Sequence, residues 1–276
     1  MTKLKRLFPY VMLILLAGVL SFAQESKIDR ATVPFSDPSQ PGLVKVDVYK
    51  GAVTVKGYNG KEVVVEARVR GKMISEKREV PGKAKGMKLI QVATTGLEIE
   101  EENNVIEIDI ESQRQAVDLT IQVPYATSLE IDSYTNGDII VENIKGEVEV
   151  EKYSGEVKLS AISGSAVAHT YSGNIVVTFT KVDPGKPMSF NNYSGDIDVT
   201  FPADIKATIK MKSNRGDIYS DFDISLKASP QKVEKPGEKG GKYRVSFDYF
   251  YGTINGGGPE YHFKTYSGDV FIRKAK

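Results

Sequence analysis

No cysteine occurs in the chain. That excludes disulfides, thiolate metal sites and a lipid anchor on a cysteine after a signal segment. The fold must be held by core packing and backbone ladders alone. Histidine is nearly absent: His169 and His262 are the only two, far apart in sequence. No His-Glu-x-x-His or Gly-x-Ser-x-Gly pattern accompanies them. Neither sign of charge dominates, since 37 Lys and Arg stand against 36 Asp and Glu. That balance gives no electrostatic ground for nucleic acid as a partner. No strong amphipathic helix is visible after the N-terminal region. What is present is a 40% hydrophobic fraction, enough for a packed core.

The N-terminus reads as a secretory signal peptide over residues 1–23. Lys3, Lys5 and Arg6 form a basic start, Leu7 to Leu20 an apolar run, and Ser21-Phe22-Ala23 a small-residue exit before Gln24. The apolar run is shorter than the ~20 residues of a usual spanning helix. Cleavage near Ala23-Gln24 predicts a secreted or periplasmic protein that is not a lipoprotein and keeps no stable membrane span. Residues 24–41, rich in Ser, Asp, Gln and Pro, read as an exposed leader.

From Val44 the pattern is period two. Val44, Val46 and Val48 share one face and Lys45, Asp47 and Tyr49 the other, with Tyr58-Asn59-Gly60 as a turn signal. A repeat then appears. Gly137, Gly146, Gly155, Gly164 and Gly173 fall nine residues apart, each opening a strand-like run such as SGEVKL or SGNIVV. Gly195, Gly216 and Gly268 continue the series at wider spacing, and Gly252 is a degenerate member. Nine is odd, so side-chain parity must slip once per unit. Glu151-Lys152 and His169-Thr170 are the expected corners. A nine-residue unit cannot bury its apolar face alone, whereas stacked coils can. The fold class is therefore all-β, a single-stranded β-helix-like solenoid with about nine residues per strand-plus-corner unit. The domain runs from 42 to 276, with opening strands and cap over 42–130 and the repeat stack over 131–276. The last strand, around Val270–Ile272, is the expected exposed end, with Arg273, Lys274 and Lys276 guarding its edge.

Long stretches resemble a known family. They are GLVKVDVYKGAVTVKGYNGKEVVVEARVRG, LTIQVPYATSLEIDSYTNGDIIVENIKGEVEVEKYSGEV and PMSFNNYSGDIDVTFPADIKATIKMKSNRGDIYSDFDI. They are similar to the bacterial β-strand-repeat "putative adhesin" family, a domain of unknown function that includes the LiaG-like envelope proteins. The tail YGTINGGGPEYHFKTYSGDVFIRK fits as well, so the resemblance covers about residues 40–276. It implies an all-β, solenoid-like domain on exported or membrane-anchored proteins. It carries no catalytic or binding residues across.

Several chemistries can be weighed on the residues themselves. Nine-residue Gly/Asp repeats also mark calcium-binding β-rolls, but those need Gly-Gly-x-Gly-x-Asp loops. Here one Gly per unit is followed by a variable residue: Asp138, Glu147, Glu156, Ser165, Asn174, Asp196, Asp217 or Asp269. That reads as a solvent-facing rung. Asp196 and Asp198 share a face, as the carboxylate pair of a glycosidase would, yet any solenoid with acidic outer positions shows the same. Gly256–Gly258 precede Pro259 and a strand, which makes them a turn. Tyr153, Tyr171, Tyr193 and Tyr266 each stand two before a repeat Gly and form a tyrosine ladder. Parity shared with Ile and Val places them in the core. A Ser-Gly corner that turned them out would instead make an aromatic strip for a sugar or a partner.

The functional expectation is an exported, non-enzymatic cell-envelope or adhesin-like interaction or structural module. It has no cofactor, metal or catalytic residue, and its partner is an unknown envelope protein or glycan. The alternative is a carbohydrate-active enzyme or glycan-binding protein that uses the polar face of the β-helix.

Overall fold

The computed structural model describes residues 28–70, 95–110, 112, 115–135, 137–227, 232–234, 244–246 and 249–276. The signal-peptide reading lies outside them. The described residues contain 23 strands and no helix.

The repeat is seen most simply in the middle of the chain. Strands β10 (Val148–Ser154), β12 (Ala166–Ser172) and β14 (Met188–Ser194) stack in parallel in an eleven-stranded sheet. Strands β11 (Val157–Gly164), β13 (Ile175–Val182) and β15 (Ile197–Phe201) stack in parallel in a facing ten-stranded sheet. The register carries Val148 onto Ala166 and Val157 onto Ile175, a step of 18 residues per coil. Each nine-residue unit is thus one strand and one corner, and two units close a coil. The chain is a two-walled β-solenoid.

Alternation inside each strand builds the core between the walls. Ile139, Val157, Ile175, Ile197 and Val270 lie in register on successive coils, and all are fully buried. Each such side chain contributes about 1.5–3 kcal/mol on burial. Towards the C-terminal coils the column widens into rings, with Phe179 stacked on Phe201 at 5.2 Å and Phe190 against Phe263 at 5.4 Å.

Chain order is not coil order. β8 (Ser128–Thr135) and β9 (Ile139–Glu142) make the coil before β10 and β11. Beyond it comes β2 (Leu43–Lys50) with β3 (Val53–Tyr58), and only then β6 (Val105–Ile110) with β7 (Val117–Pro124). At the other end β22 (Glu260–Ser267) and β23 (Val270–Lys274) slot between the coil of β14 and β15 and that of β16 (Ala207–Arg215) and β17 (Ile218–Ser220). Each terminal coil is therefore intercalated one step inside the stack.

This corrects three expectations. The last strand is not an exposed end: β23 pairs with β15 on one side and β17 on the other, and Val270 and Ile272 are buried. Arg273 guards no edge but binds Asp198 on the neighbouring coil, at 2.7 and 2.9 Å. Identical rungs accept one another in any order, so periodicity does not encode the slot a coil takes. The division into a cap over 42–130 and a stack from 131 fails for the same reason, because β2 and β3 are a coil within the stack. Caps are made instead by antiparallel strands. At the N-terminal end they are β4 (Glu62–Val69) and β1 (Ile28–Pro34) on one wall and β5 (Leu97–Glu102) on the other. At the far end they are β21 (Phe250–Ile254) and β18 (Ser225–Lys227). The leader read over residues 24–41 is corrected for its described part, 28–41: β1 closes an edge and Phe35 is buried. A small separate ladder joins β19 (Lys232–Glu234) and β20 (Arg244–Ser246).

Candidate functional site

The corners decide where side chains point. Glu151-Lys152 and His169-Thr170, expected as corners, lie inside β10 and β12. The chain turns two to three residues later, at Ser154-Gly155 and Ser172-Gly173. Gly173 has φ +134, and a Cβ there would sit 2.1 Å from the carbonyl oxygen of Gly155 on the coil below. Only glycine fits so close an approach. The same contact repeats up one edge of the solenoid through Gly137, Gly155, Gly173, Gly195, Gly268 and Gly216. Gly51 joins this column below Gly137. Gly146 and Gly164 form a separate column at the opposite corner, so the single nine-residue series is two columns in space.

The rung after each glycine has a defined task. The Oδ1 atoms of Asp138, Asn174, Asp196 and Asp269 accept the backbone N–H groups of Glu156, Asp196, Asp269 and Asp217 on adjacent coils, at 2.8–2.9 Å. Asp and Asn interchange here because the column needs an acceptor rather than a charge. Neither calcium chelation nor a carboxylate pair follows from that use. Asp196 caps a backbone amide and Asp198 is held by Arg273.

Parity slips at the Ser-Gly corner, between Tyr and Ile, and this reverses the expectation for the tyrosines. They point outward. Tyr153, Tyr171 and Tyr193 are 46–49% exposed. Tyr153 shares its face with Glu149 and Glu151, while Lys152 lies on the buried face. The rings form one continuous stack of six. Tyr49, Tyr134, Tyr153, Tyr171, Tyr193 and Tyr266 follow one another with centroids 4.8–5.4 Å apart and planes within 10°. Arg215 lies over the last ring at 5.3 Å and closes that end. Tyr49 and Tyr134 were not singled out in the sequence. Tyr49-Lys50-Gly51 carries the same spacing as Tyr153-Ser154-Gly155, so it was findable. Tyr134 stands three before Gly137 and escapes that rule.

Alongside the ring stack runs a row of side chains on the outer face of the eleven-stranded sheet. The ladder register puts Glu98, Asp109, Asp47, Asp132 and Glu151 next to one another on five adjacent strands. Then come His169 and Asn191, and then Lys264 and Lys212. The row is acidic at one end and basic at the other. Asn191 Nδ2 lies 3.0 Å from His169 Nε2, and His169 Nδ1 lies 4.0 Å from Glu151. Partial burial, followed by its neighbours Glu151, Asp47, Glu130 and Glu149, holds the Asp132 carboxyl above the ordinary carboxylate range. The ring stack and the row from Asp47 to Lys212 line an open groove of about 1050 Å³.

Beneath the rings lies a buried polar row: Ser133, Lys152, Thr170, Asn192 and Thr265. Asn192 Nδ2 donates to the Gly195 carbonyl at 2.8 Å, which satisfies the tight corner. Lys152 is the exception in this row. Its ammonium donates to Ser133 Oγ at 3.2 Å. Burial, opposed by the more distant Asp138, lowers its pKa to about 8.

The geometry limits what the ring stack can do. A sugar packs its C–H face on an aromatic face, but these faces are taken by neighbouring rings. Solvent meets ring edges and phenolic hydroxyls, one per coil. That suits polar contacts with a long, flat surface. Among the described residues no group of three or more His, Asp or Glu side chains is placed to hold a metal ion, and no helix is long and apolar enough to cross a membrane.

The model of the family described as Toastrack DUF4097 matches residues 79–273. No curated protein matches the chain. Similar solved structures include a putative cell adhesion protein from Clostridium sporogenes, 11% identical over 91% of this chain and 100% of that one, with a TM-score of 0.46. A putative adhesin from Bacteroides fragilis is 7% identical over 91% and 98% of the two chains, with a TM-score of 0.30.

Proposed function

The chain belongs to the Toastrack DUF4097 family, and from that premise we propose that it is an exported, non-enzymatic interaction module of the cell envelope. It engages its partner through the outer face of the eleven-stranded sheet. The observation that carries this reading is the six-ring tyrosine stack beside a charge-sorted groove. Tyrosine supplies large contact area with little side-chain entropy to lose, and it is enriched at binding hot spots. The carbohydrate-enzyme alternative has less support, because Asp196 and Asp198 are both engaged in holding the fold. Export rests on the basic, apolar and small-residue pattern of residues 1–23.

The test is binding of the purified chain to glycan arrays and to isolated envelope fractions, with a polysaccharide-degradation screen run beside it. Binding that is lost in a Tyr153→Ala, Tyr171→Ala, Tyr193→Ala variant that still folds supports the reading. Turnover of any glycan, lost on Asp196→Asn in a variant that stays folded, would overturn the non-enzymatic assignment.

A further inference from the structure

We infer that the partner of this face is a second copy of the same chain, docked face to face with its stack reversed. The inference rests on the reading that the outer face of the eleven-stranded sheet is the interaction surface. Three observations lead to it.

First, the charges are sorted along the stack. In the row beside the rings every acid precedes His169 and every lysine follows it. A row acidic at one end and basic at the other is complementary to itself, where acid meets lysine, when one copy is turned end for end. Such self-complementarity is what a two-fold interface requires.

Second, the changeover from acids to lysines falls at the middle of the sheet. β12, which carries His169 and Tyr171, is the sixth of eleven strands. A two-fold axis parallel to the strands and level with β12 reverses the stack while keeping positions along the strands. Asp47 on β2 then faces Lys212 on β16 of the second copy, and Asp132 on β8 faces Lys264 on β22. The same operation lays tyrosine stack along tyrosine stack. Lys45 and Lys210 would also face one another, but each already has an acid beside it, Glu130 at 3.4 Å and Glu260 at 3.8 Å.

Third, the face has the size and flatness to hold. Successive tyrosine planes differ by 10° or less, so the rings present one even line of edges along the face. The nine strands from β5 to β16, at ~4.8 Å spacing and ~3.3 Å per residue, present roughly 800 Å². That is about what one partner contributes to a standard stable interface. A glycan would use neither the sorted charges nor the reversal symmetry.

Sedimentation velocity on the purified chain tests this. The expected result is a concentration-dependent dimer at low salt that dissociates as salt rises. Two variants sharpen it. Lys212→Glu with Lys264→Glu leaves the row without a lysine, and Asp47→Lys with Asp132→Lys turns into lysines the two acids that face Lys212 and Lys264 of the second copy. Each alone should dimerise at least ~10-fold more weakly than the parent. An equimolar mixture of the two should recover dimer, which a misfolded variant could not do. A parent that stays monomeric at every concentration, or variants that dimerise as the parent does, overturns the inference. A monomeric parent that still binds envelope fractions, with the tyrosine variant losing that binding, sinks the second-copy partner alone and leaves the interaction reading intact. Loss of neither self-association nor binding on changing this face sinks both.

Discussion

On the ten-stranded wall, outward charges are neutralised where they stand: Arg70 meets Asp118, Lys56 meets Glu142 and Arg273 meets Asp198. The opposite wall, with the same alternation over the same core, pairs Lys45 with Glu130 and Lys210 with Glu260 but sorts the charges of the row beside the rings. There five acids follow one another on adjacent strands before any lysine joins the row. Like charges directly across a ladder are destabilising, so stability alone explains the first wall and not the second. Rule-breaking of this kind concentrates where a surface has work to do. The tyrosines agree, for six stacked rings, five of them exposed, line the sorted wall.

The largest expected effect falls on what the walls share. Gly173→Ala forces a Cβ to within 2.1 Å of the Gly155 carbonyl at a φ of +134, and should destabilise by at least about 3 kcal/mol. Backbone and tyrosine circular dichroism should be lost together, because the corner serves both sheets. Gly185→Ala, whose nearest neighbour would be 3.6 Å away, should stay within about 0.5 kcal/mol in the same denaturant titration.

Next comes the buried ammonium beneath the sorted wall. Lys152 has a folded pKa of about 8 against ~10.4 in the unfolded chain. Between those values the unfolded state binds more protons, so stability should climb as pH rises from 8 towards 10. Below pH 8 both states are charged and the burial penalty is constant. Lys152→Met keeps the bulk and removes the charge. It should gain roughly 2–3 kcal/mol at pH 7 and flatten the pH 8–10 slope in thermal melts.

Tyr171→Ala removes a ring stacked on both sides at 5.0 Å. Its loss should amount to about 1–2 kcal/mol, and the near-ultraviolet signal of the stack should fall by more than the share of the one ring removed, as the stack is cut in two. Thr178→Ala on the other wall should do almost nothing to either signal.

The coil was legible in the sequence because its step is a backbone property. One strand and one corner occupy nine residues, and glycine must recur where carbonyls approach within contact distance. The slot each coil takes was not legible, since Val270 pairs as well with Ile197 below it as with Ile218 above it. The tyrosines were found at four positions but turned the wrong way. Their orientation hangs on whether parity slips at Thr170 or two residues later at Ser172. Periodicity counts one slip per unit without locating it. The sorted charges were invisible for a related reason. Asp47, Asp132 and Lys264 are scattered in sequence, and only the ladder register brings them into one row.

The smallest effect is the most discriminating between the walls, because the same chemical change should act with opposite sign. Asp198→Asn removes the charge that Arg273 grips at 2.7 and 2.9 Å, and should destabilise by about 0.2–1 kcal/mol at pH 7. Asp132→Asn removes a charge crowded by Glu151 and Asp47, whose folded pKa is raised by partial burial and by those neighbours. A raised carboxylate pKa means that the folded state holds its proton more firmly than the unfolded one. Parent stability therefore carries a penalty at neutral pH that is relieved as pH falls through the folded pKa towards ~3.9, the unfolded value. Asp132→Asn should stabilise at pH 7 by a similarly small amount, and the gain should vanish below about pH 3.9. Paired denaturation curves at pH 7 and pH 3.5 check both signs. If Asp132→Asn destabilises at pH 7, the acidic row is not a crowded one, and the contrast between the walls loses its physical basis.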